Sequence, residues 1–166
     1  YDLVRLALNY AVDKKKLARE LFNQRAYPAV SVLPRGKLGY NPDIPGYHYN
    51  PYAAEELLRL AGYRRGLKLE LLLPQQDVDG FQDAWKLARM IAGDLKQVGI
   101  ELKLLVKDKE EYFSRLRTGD YDMALVCWFG IRRICDDQLY VLFGREGRVK
   151  GQAAVYVSAR LEQLFD

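Results

Sequence analysis

Carboxylates stand in pairs at two places: Asp120 and Asp122 flank Tyr121, and Asp136 adjoins Asp137. Such pairs can exchange protons with a substrate or hold Mg²⁺. Each pair here has a simpler use, since Asp120 follows the turn residue Gly119 while Asp136 and Asp137 can cap a helix starting near Gln138. The next candidates are the thiols Cys127 and Cys135 and the single His48. A nucleophilic Cys needs a base beside it, yet His48 sits in a proline-rich stretch with nothing to bring it to Cys135. One His and two Cys also argue against a zinc site. Gly36 and Gly39 lack the strand–loop–helix context of a phosphate loop, and no GxSxG elbow occurs. Enzymatic function is unsupported, and no cofactor and no metal is expected.

The elements that would position these residues can be read from periodicity. Residues 3–11, LVRLALNYA, set Leu3, Ala7, Tyr10 and Ala11 at helical spacing. Asp13 can cap a second helix with Leu17, Leu21 and Phe22 on its buried side. Lys14, Lys15 and Lys16 in its first turn oppose the helix dipole, at about a few tenths of a kcal/mol each. Nothing in the sequence explains them. Residues 28–51 gather Pro28, Pro34, Pro42, Pro45 and Pro51 with Gly36, Gly39 and Gly46. This is the composition of an ordered loop rather than a linker, because Tyr40, Tyr47 and Tyr49 offer surface to pack. Asn50 and Pro51 read as N-cap and first residue of a helix that Gly62 stops.

The pattern then changes. LKLELLL (67–73) alternates and becomes wholly apolar, as in a strand entering a covered sheet. Phe81, Ala84, Trp85, Ala88, Ile91, Leu95 and Val98 form one helical stripe ended by Gly99. IELKLLV (100–106) is a second strand. Asp108 and Glu111 make a capping-box pattern for a short helix carrying Tyr112, Phe113 and Leu116 and closed by Gly119. YDMALVCW (121–128) is a third strand. The order predicts an α/β fold with a parallel βαβαβ core and right-handed crossovers, preceded by a helical, Pro-rich N-terminal part. Ligands gather at the carboxyl ends of such strands, which directs attention to residues 74–77, 107–108 and 129–135.

A chain of 166 residues and 19.2 kDa fits one unit, 1–166. It can bury roughly 70% of its unfolded surface without disulfide or metal staples. No run of about 18 apolar residues occurs, so no transmembrane segment is expected. No signal peptide is present and residue 1 is Tyr, so the chain reads as an excised piece. The net charge of +4 is mild and comes from scattered clusters, Lys14–Lys16, Arg64–Arg65 and Arg132–Arg133. Solvated faces explain these better than binding to nucleic acid or an anionic membrane. Cys127 lies in an apolar run and reads as a buried thiol. A disulfide to Cys135 depends on geometry, and the pair does not fix the redox compartment.

The wording of the chain goes further. VRLALNYAVDKKKLA (4–18) resembles the segment VRxALxYAID that opens the second lobe of extracytoplasmic solute-binding proteins, in the cluster serving ABC importers of oligopeptides, dipeptides and nickel. LPRGKLGYNPDIPGYHYNPYAAEELLRLAGY (33–63), LKQVGIEL (95–102) and YFSRLRTGDYDMAL (112–125) resemble further segments in family order. So do the stretch from Trp128 to DDQLYVLF (136–143) and, in weakened form, VYVSARLEQLFD (155–166). The resemblance implies one periplasmic-binding-protein-like lobe of a clamshell, the type II binding-protein fold, with the other lobe supplied by sequence outside this piece. It also implies an extracytoplasmic protein, periplasmic or lipoprotein-anchored, that hands a small solute to an ABC permease.

One departure bears on the ligand. In peptide binders of the family, the aspartate of a WxAD motif pairs with the peptide's amino group. Aligned on Trp128, that position is Ile131 here, followed by Arg132 and Arg133. Recognition of a free N-terminus by this loop is therefore doubtful. On one reading Arg132 and Arg133 select an anionic solute, since guanidinium forks suit carboxylate and phosphate. On the other they face water. Trp128 and Phe129 likewise suit stacking on a ligand or filling the lobe core. The ligand-binding candidates are thus Trp128, Phe129, Ile131, Arg132 and Arg133. A competing function is a ligand-sensing domain of a cytoplasmic transcription regulator, because similar lobes occur fused behind DNA-binding domains.

Overall fold

A strand with an unbroken apolar run belongs at the centre of a sheet, where both faces are covered. The computed structural model, which describes residues 2–23, 25–75, 83–127, 139 and 143, places the run LKLELLLP there. The elements are α1 (Asp2–Ala11), α2 (Lys14–Phe22), α3 (Pro51–Leu60), β1 (Leu67–Pro74), α4 (Ala84–Gln97), β2 (Ile100–Lys107), α5 (Lys109–Thr118) and β3 (Met123–Ala124). The three strands lie in the order β2-β1-β3, all parallel, with Leu67 opposite Ile100 and Leu71 opposite Met123.

The change of pattern within β1 has a direct cause. Side chains alternate between faces, and the odd-numbered residues Leu67, Leu69, Leu71 and Leu73 all meet the side packed by α4, with α1 and α3 beyond it. On the even side, the first half of the strand is open to water. There Lys68 pairs with Glu101 at 3.1 Å and Glu70 with Lys103 at 2.7 Å, each across the register. Further along, Leu72 is fully buried and β1 is packed by α5.

Capping residues start α2, α3, α4 and α5 where the sequence places them. Asp13, Asn50, Asp83 and Asp108 accept from the backbone N–H three residues on. Pro51 occupies the first turn of α3, and Gly62 (φ +92°) follows its end in the left-handed conformation that favours glycine. The capping box at α5 is only half formed. Glu111 turns away to Lys107 at 2.8 Å and Arg115 at 3.1 Å, ion pairs that depress its pKa.

The lysines of α2 find their reason in its neighbours. Lys14 donates to the carbonyl of Asn9 at 2.8 Å and lies 5.8 Å from the Tyr47 ring, and burial lowers its pKa. Lys16 reaches Asp94 of α4 at 3.4 Å. Asp94, only 2% exposed, is the buried charged residue of the described core. Its other oxygen accepts from the backbone N–H of Asp13 at 3.0 Å, so one carboxylate fastens the α1–α2 corner to α4. Lys15 faces water.

Several expectations need correction. Phe22 is exposed rather than buried, as is Leu3 at the start of the first apolar spacing, because α1 and α2 bury only a narrow side. Phe113 also faces solvent, leaving Tyr112 as the residue α5 buries. The third strand pairs over Met123–Ala124 alone, shorter than residues 121–128 would allow. The Asp122 carboxylate accepts from the N–H of Glu70 at 2.8 Å, occupying a donor that a longer strand would use. Residues 25–50 hold no helix or strand, but Tyr47 packs edge-on against Tyr10 at 5.5 Å, and the N–H of Asn50 donates to Tyr10 at 2.9 Å.

Candidate ligand site at the carboxyl edge of the sheet

β1 and β2 end side by side, and the chain holds their ends together. Pro74 stands opposite Lys107, and the N–H of Gln75 donates to the Lys107 carbonyl at 2.7 Å. The two neighbouring loop positions expected to matter, after residues 74 and 107, are therefore one edge. α4 begins at the same edge, with Asp83 as its cap.

Between them lies a cleft of about 330 Å³ lined by Leu73, Pro74, Gln75, Asp83, Ala84, Trp85 and Val106. Its walls are largely apolar. Gln75 is the lining side chain that can both donate and accept, since the Asp83 carboxylate only accepts and one of its oxygens already holds the N–H of Lys86 at 2.8 Å. Trp85 is 49% exposed and Val106 40% exposed, a large hydrophobic surface left open at a strand edge. Trp85 also borders a hollow of about 410 Å³ that includes Lys86, Arg89 and Met90. Such a cleft offers enclosure and stacking with a few polar anchors, the usual make-up of a solute site. The lining holds no nucleophile next to a base. Among the described residues no group of three His, Cys, Asp or Glu is placed to hold a metal ion.

Trp85 corrects the sequence reading, which set it on the buried stripe of α4. Its spacing of three to Ala88 suits that stripe, but it is the second residue of the helix, and its side chain lines the edge cleft. Position within the helix, rather than periodicity, was the available signal. Val106 could be found by counting, since alternation from buried Ile100 puts it on the α4 side at the strand end.

β3 reaches the same edge. The N–H of Leu125 donates to Leu72 at 3.0 Å, and its carbonyl accepts from the Tyr112 hydroxyl at 2.6 Å. Tyr112 is 2% exposed. Burial, then the proximity of Tyr121 and Cys127, pushes its pKa up to about 12, and burial also raises that of Tyr121. Cys127 is half-buried. The chain next enters Trp128, Phe129, Ile131, Arg132 and Arg133. These five candidates lie outside the described residues, as do Cys135, Asp136 and Asp137.

A parallel α/β lobe with an open apolar cleft at its carboxyl edge has the form of a solute-binding domain. Residues 2–148 match the family described as bacterial extracellular solute-binding proteins, family 5, middle region, and the chain belongs to that family. It is 29% identical to the dipeptide-binding protein of Escherichia coli (strain K12) over 140 residues, 84% of this chain and 26% of that protein. Its structure is similar to that of DppA, an ABC transporter-associated periplasmic binding protein from Helicobacter pylori in complex with the peptide STSA. The TM-score is 0.79 at 28% identity, over 92% of this chain and 30% of that one. It is also similar to AgaA of A. tumefaciens R10 in complex with agropinic acid, with a TM-score of 0.80 at 26% identity, over 95% of this chain and 32% of that one. The chain thus spans less than a third of the length of each of these three relatives.

Proposed function

We propose that this chain is one lobe, residues 1–166, of a two-lobed protein that captures a small solute outside the cytoplasmic membrane and delivers it to an ABC permease. The observation that carries the reading is the edge cleft. Half-exposed Trp85 and exposed Val106 give it apolar walls, and it is open on one side. A clamshell closes such a half-site with its second lobe, by hinge motion. The chain's short span of its relatives and the periplasmic, transporter-associated nature of the Helicobacter pylori protein support the same account.

The solute bears an acid group. Ile131 stands where peptide binders of the family carry an amine-pairing aspartate, and Arg132 and Arg133 follow it with forks suited to a carboxylate. The similar protein AgaA is in complex with agropinic acid, which supports an acid as the class of solute. Trp85 offers an exposed indole for stacking at the same edge, and Trp128 and Phe129 remain the stacking candidates that the resemblance supplies.

A melting-temperature screen of the full-length protein against STSA, agropinic acid, neutral sugars and Ni²⁺ tests this, because binding to the native state raises the melting temperature. An upward shift with agropinic acid, lost on changing Arg132 and Arg133 to Ala and reduced by Trp85→Ala, is expected. A shift with STSA that survives the arginine changes would reject the acid-selective loop.

A further inference from the structure

On the open face of the sheet and along α5, cations stand beside carboxylates: Lys68 meets Glu101, Lys103 meets Glu70, and Lys107 and Arg115 share Glu111. Lys86 and Arg89, exposed on α4, form no ion pair among the described residues. They line instead the hollow of about 410 Å³ beside Trp85, together with Asp83 and Met90. Trp85 and Asp83 also line the cleft of about 330 Å³ at the strand ends. Cleft and hollow therefore meet across the indole.

Helix geometry gives this flank its form. Residues three and four apart share one helical face, so Lys86 and Arg89 stand one turn apart, and Arg89 lies one turn along from Trp85. The two cations and the amino end of α4 bring positive charge to the hollow. Asp83 is the opposing carboxylate, and it is engaged in capping, with one oxygen accepting from the N–H of Lys86 at 2.8 Å. The balance favours an anion. Half-exposed Trp85 and the thioether of Met90 add flat and deformable apolar surface beside it. The hollow of about 520 Å³ at the opposite edge differs, since it sets Glu55 and Glu56 against Arg59 and Arg64 and favours neither sign of charge.

We infer that this flank of α4 is a second subsite of the solute site, in which Lys86 and Arg89 hold a carboxylate of the solute while its apolar or planar body lies across Trp85 into the cleft. The inference rests on the acid-solute reading above and adds to it two cations on a helix packed against the sheet. Together they suit a carboxylate, Arg89 with a planar fork and Lys86 with a point charge.

The test uses the full-length protein with benzoate, which joins a flat ring to a carboxylate, and benzamide, its uncharged counterpart. Binding is followed by NMR at the indole N–H resonance that disappears in Trp85→Phe. Benzoate moves that resonance and binds about threefold to tenfold more tightly than benzamide, a modest gain because these cations stay in contact with water. Lys86→Gln combined with Arg89→Gln removes the difference. Lys68→Gln combined with Lys103→Gln, which takes the same charge from the open sheet face, leaves it in place. Unchanged benzoate affinity in the first double variant would overturn the inference, as would an equal loss in the second, or benzoate binding that leaves the Trp85 resonance unmoved. Agropinic acid separates this failure from that of the underlying reading. If it binds with a dependence on Arg132 and Arg133 but none on Lys86 and Arg89, the acid reading stands and the subsite falls. If neither acid binds the parent protein, the acid reading falls and the subsite with it.

Discussion

Asp94 shows how one side chain decides a corner of the molecule. It is buried to 2% exposure, yet both oxygens are used, one by the N–H of Asp13 and one by Lys16. Asp94→Ala leaves that N–H without its acceptor and Lys16 without its partner. Hydrogen bonds involving a charged group contribute about 1.5–3 kcal/mol, so urea denaturation should show a loss of roughly 2 kcal/mol. Asp94→Asn, which keeps an acceptor, should lose less, and equal losses would contradict the assignment. Tyr112 makes a pH prediction at the same scale. Its pKa lies near 12 in the fold, above the ordinary 10.0, because burial disfavours the phenolate. The stability this contributes is fully present below about pH 10 and is lost as pH rises through about 12. Over that interval the parent chain should lose roughly 2 kcal/mol relative to Tyr112→Phe in denaturation curves. Parallel pH profiles would show that the phenol does not titrate with folding.

At the level of elements, β3 depends on a side chain that takes the place of strand pairing. Asp122 accepts from the N–H of Glu70, ahead of the short Met123–Ala124 ladder. Asp122→Ala should destabilise the chain by about 1 kcal/mol, since this bond is exposed and water can partly replace it. Amide exchange at Glu70 and Leu72 should rise with it, and unchanged exchange would place the control of β3 elsewhere. The elements were largely legible in the sequence. The cap residues, the glycine stops and the switch in β1 from alternation to a continuous run each have a local cause that spacing records. The parallel sheet and its helices follow from that order. What failed was the extent of burial. Phe22 was assigned inward by spacing alone, but a helix packed on one narrow side leaves part of its apolar face in water, as Leu3 and Phe113 also show. The third strand was drawn too long because an apolar run cannot show that Asp122 has taken a backbone donor of its neighbour.

For the whole molecule, the legible part was the meeting of the strand ends. The rule that parallel strands place ligands at their carboxyl ends led to residues 74 and 107, which meet at one edge through Gln75 and Lys107. Trp85 was not recognised, because helical periodicity does not say which turn overhangs the sheet. The link from Tyr112 to Leu125 was equally hidden, since nothing in spacing reveals which buried hydroxyl meets which carbonyl. The role of Trp128, Phe129, Ile131, Arg132 and Arg133 rests on resemblance and charge, as they lie outside the described residues.

A solute site completed by a second lobe has a thermodynamic consequence, because affinity comes from enclosure as much as from the contacts of one side. Isothermal titration of agropinic acid into the full-length protein and into the 166-residue chain measures it directly. The account predicts that the isolated chain binds at least about tenfold more weakly, a loss of about 1.4 kcal/mol or more. Equal dissociation constants for the two would contradict it, since this lobe would then hold the whole site.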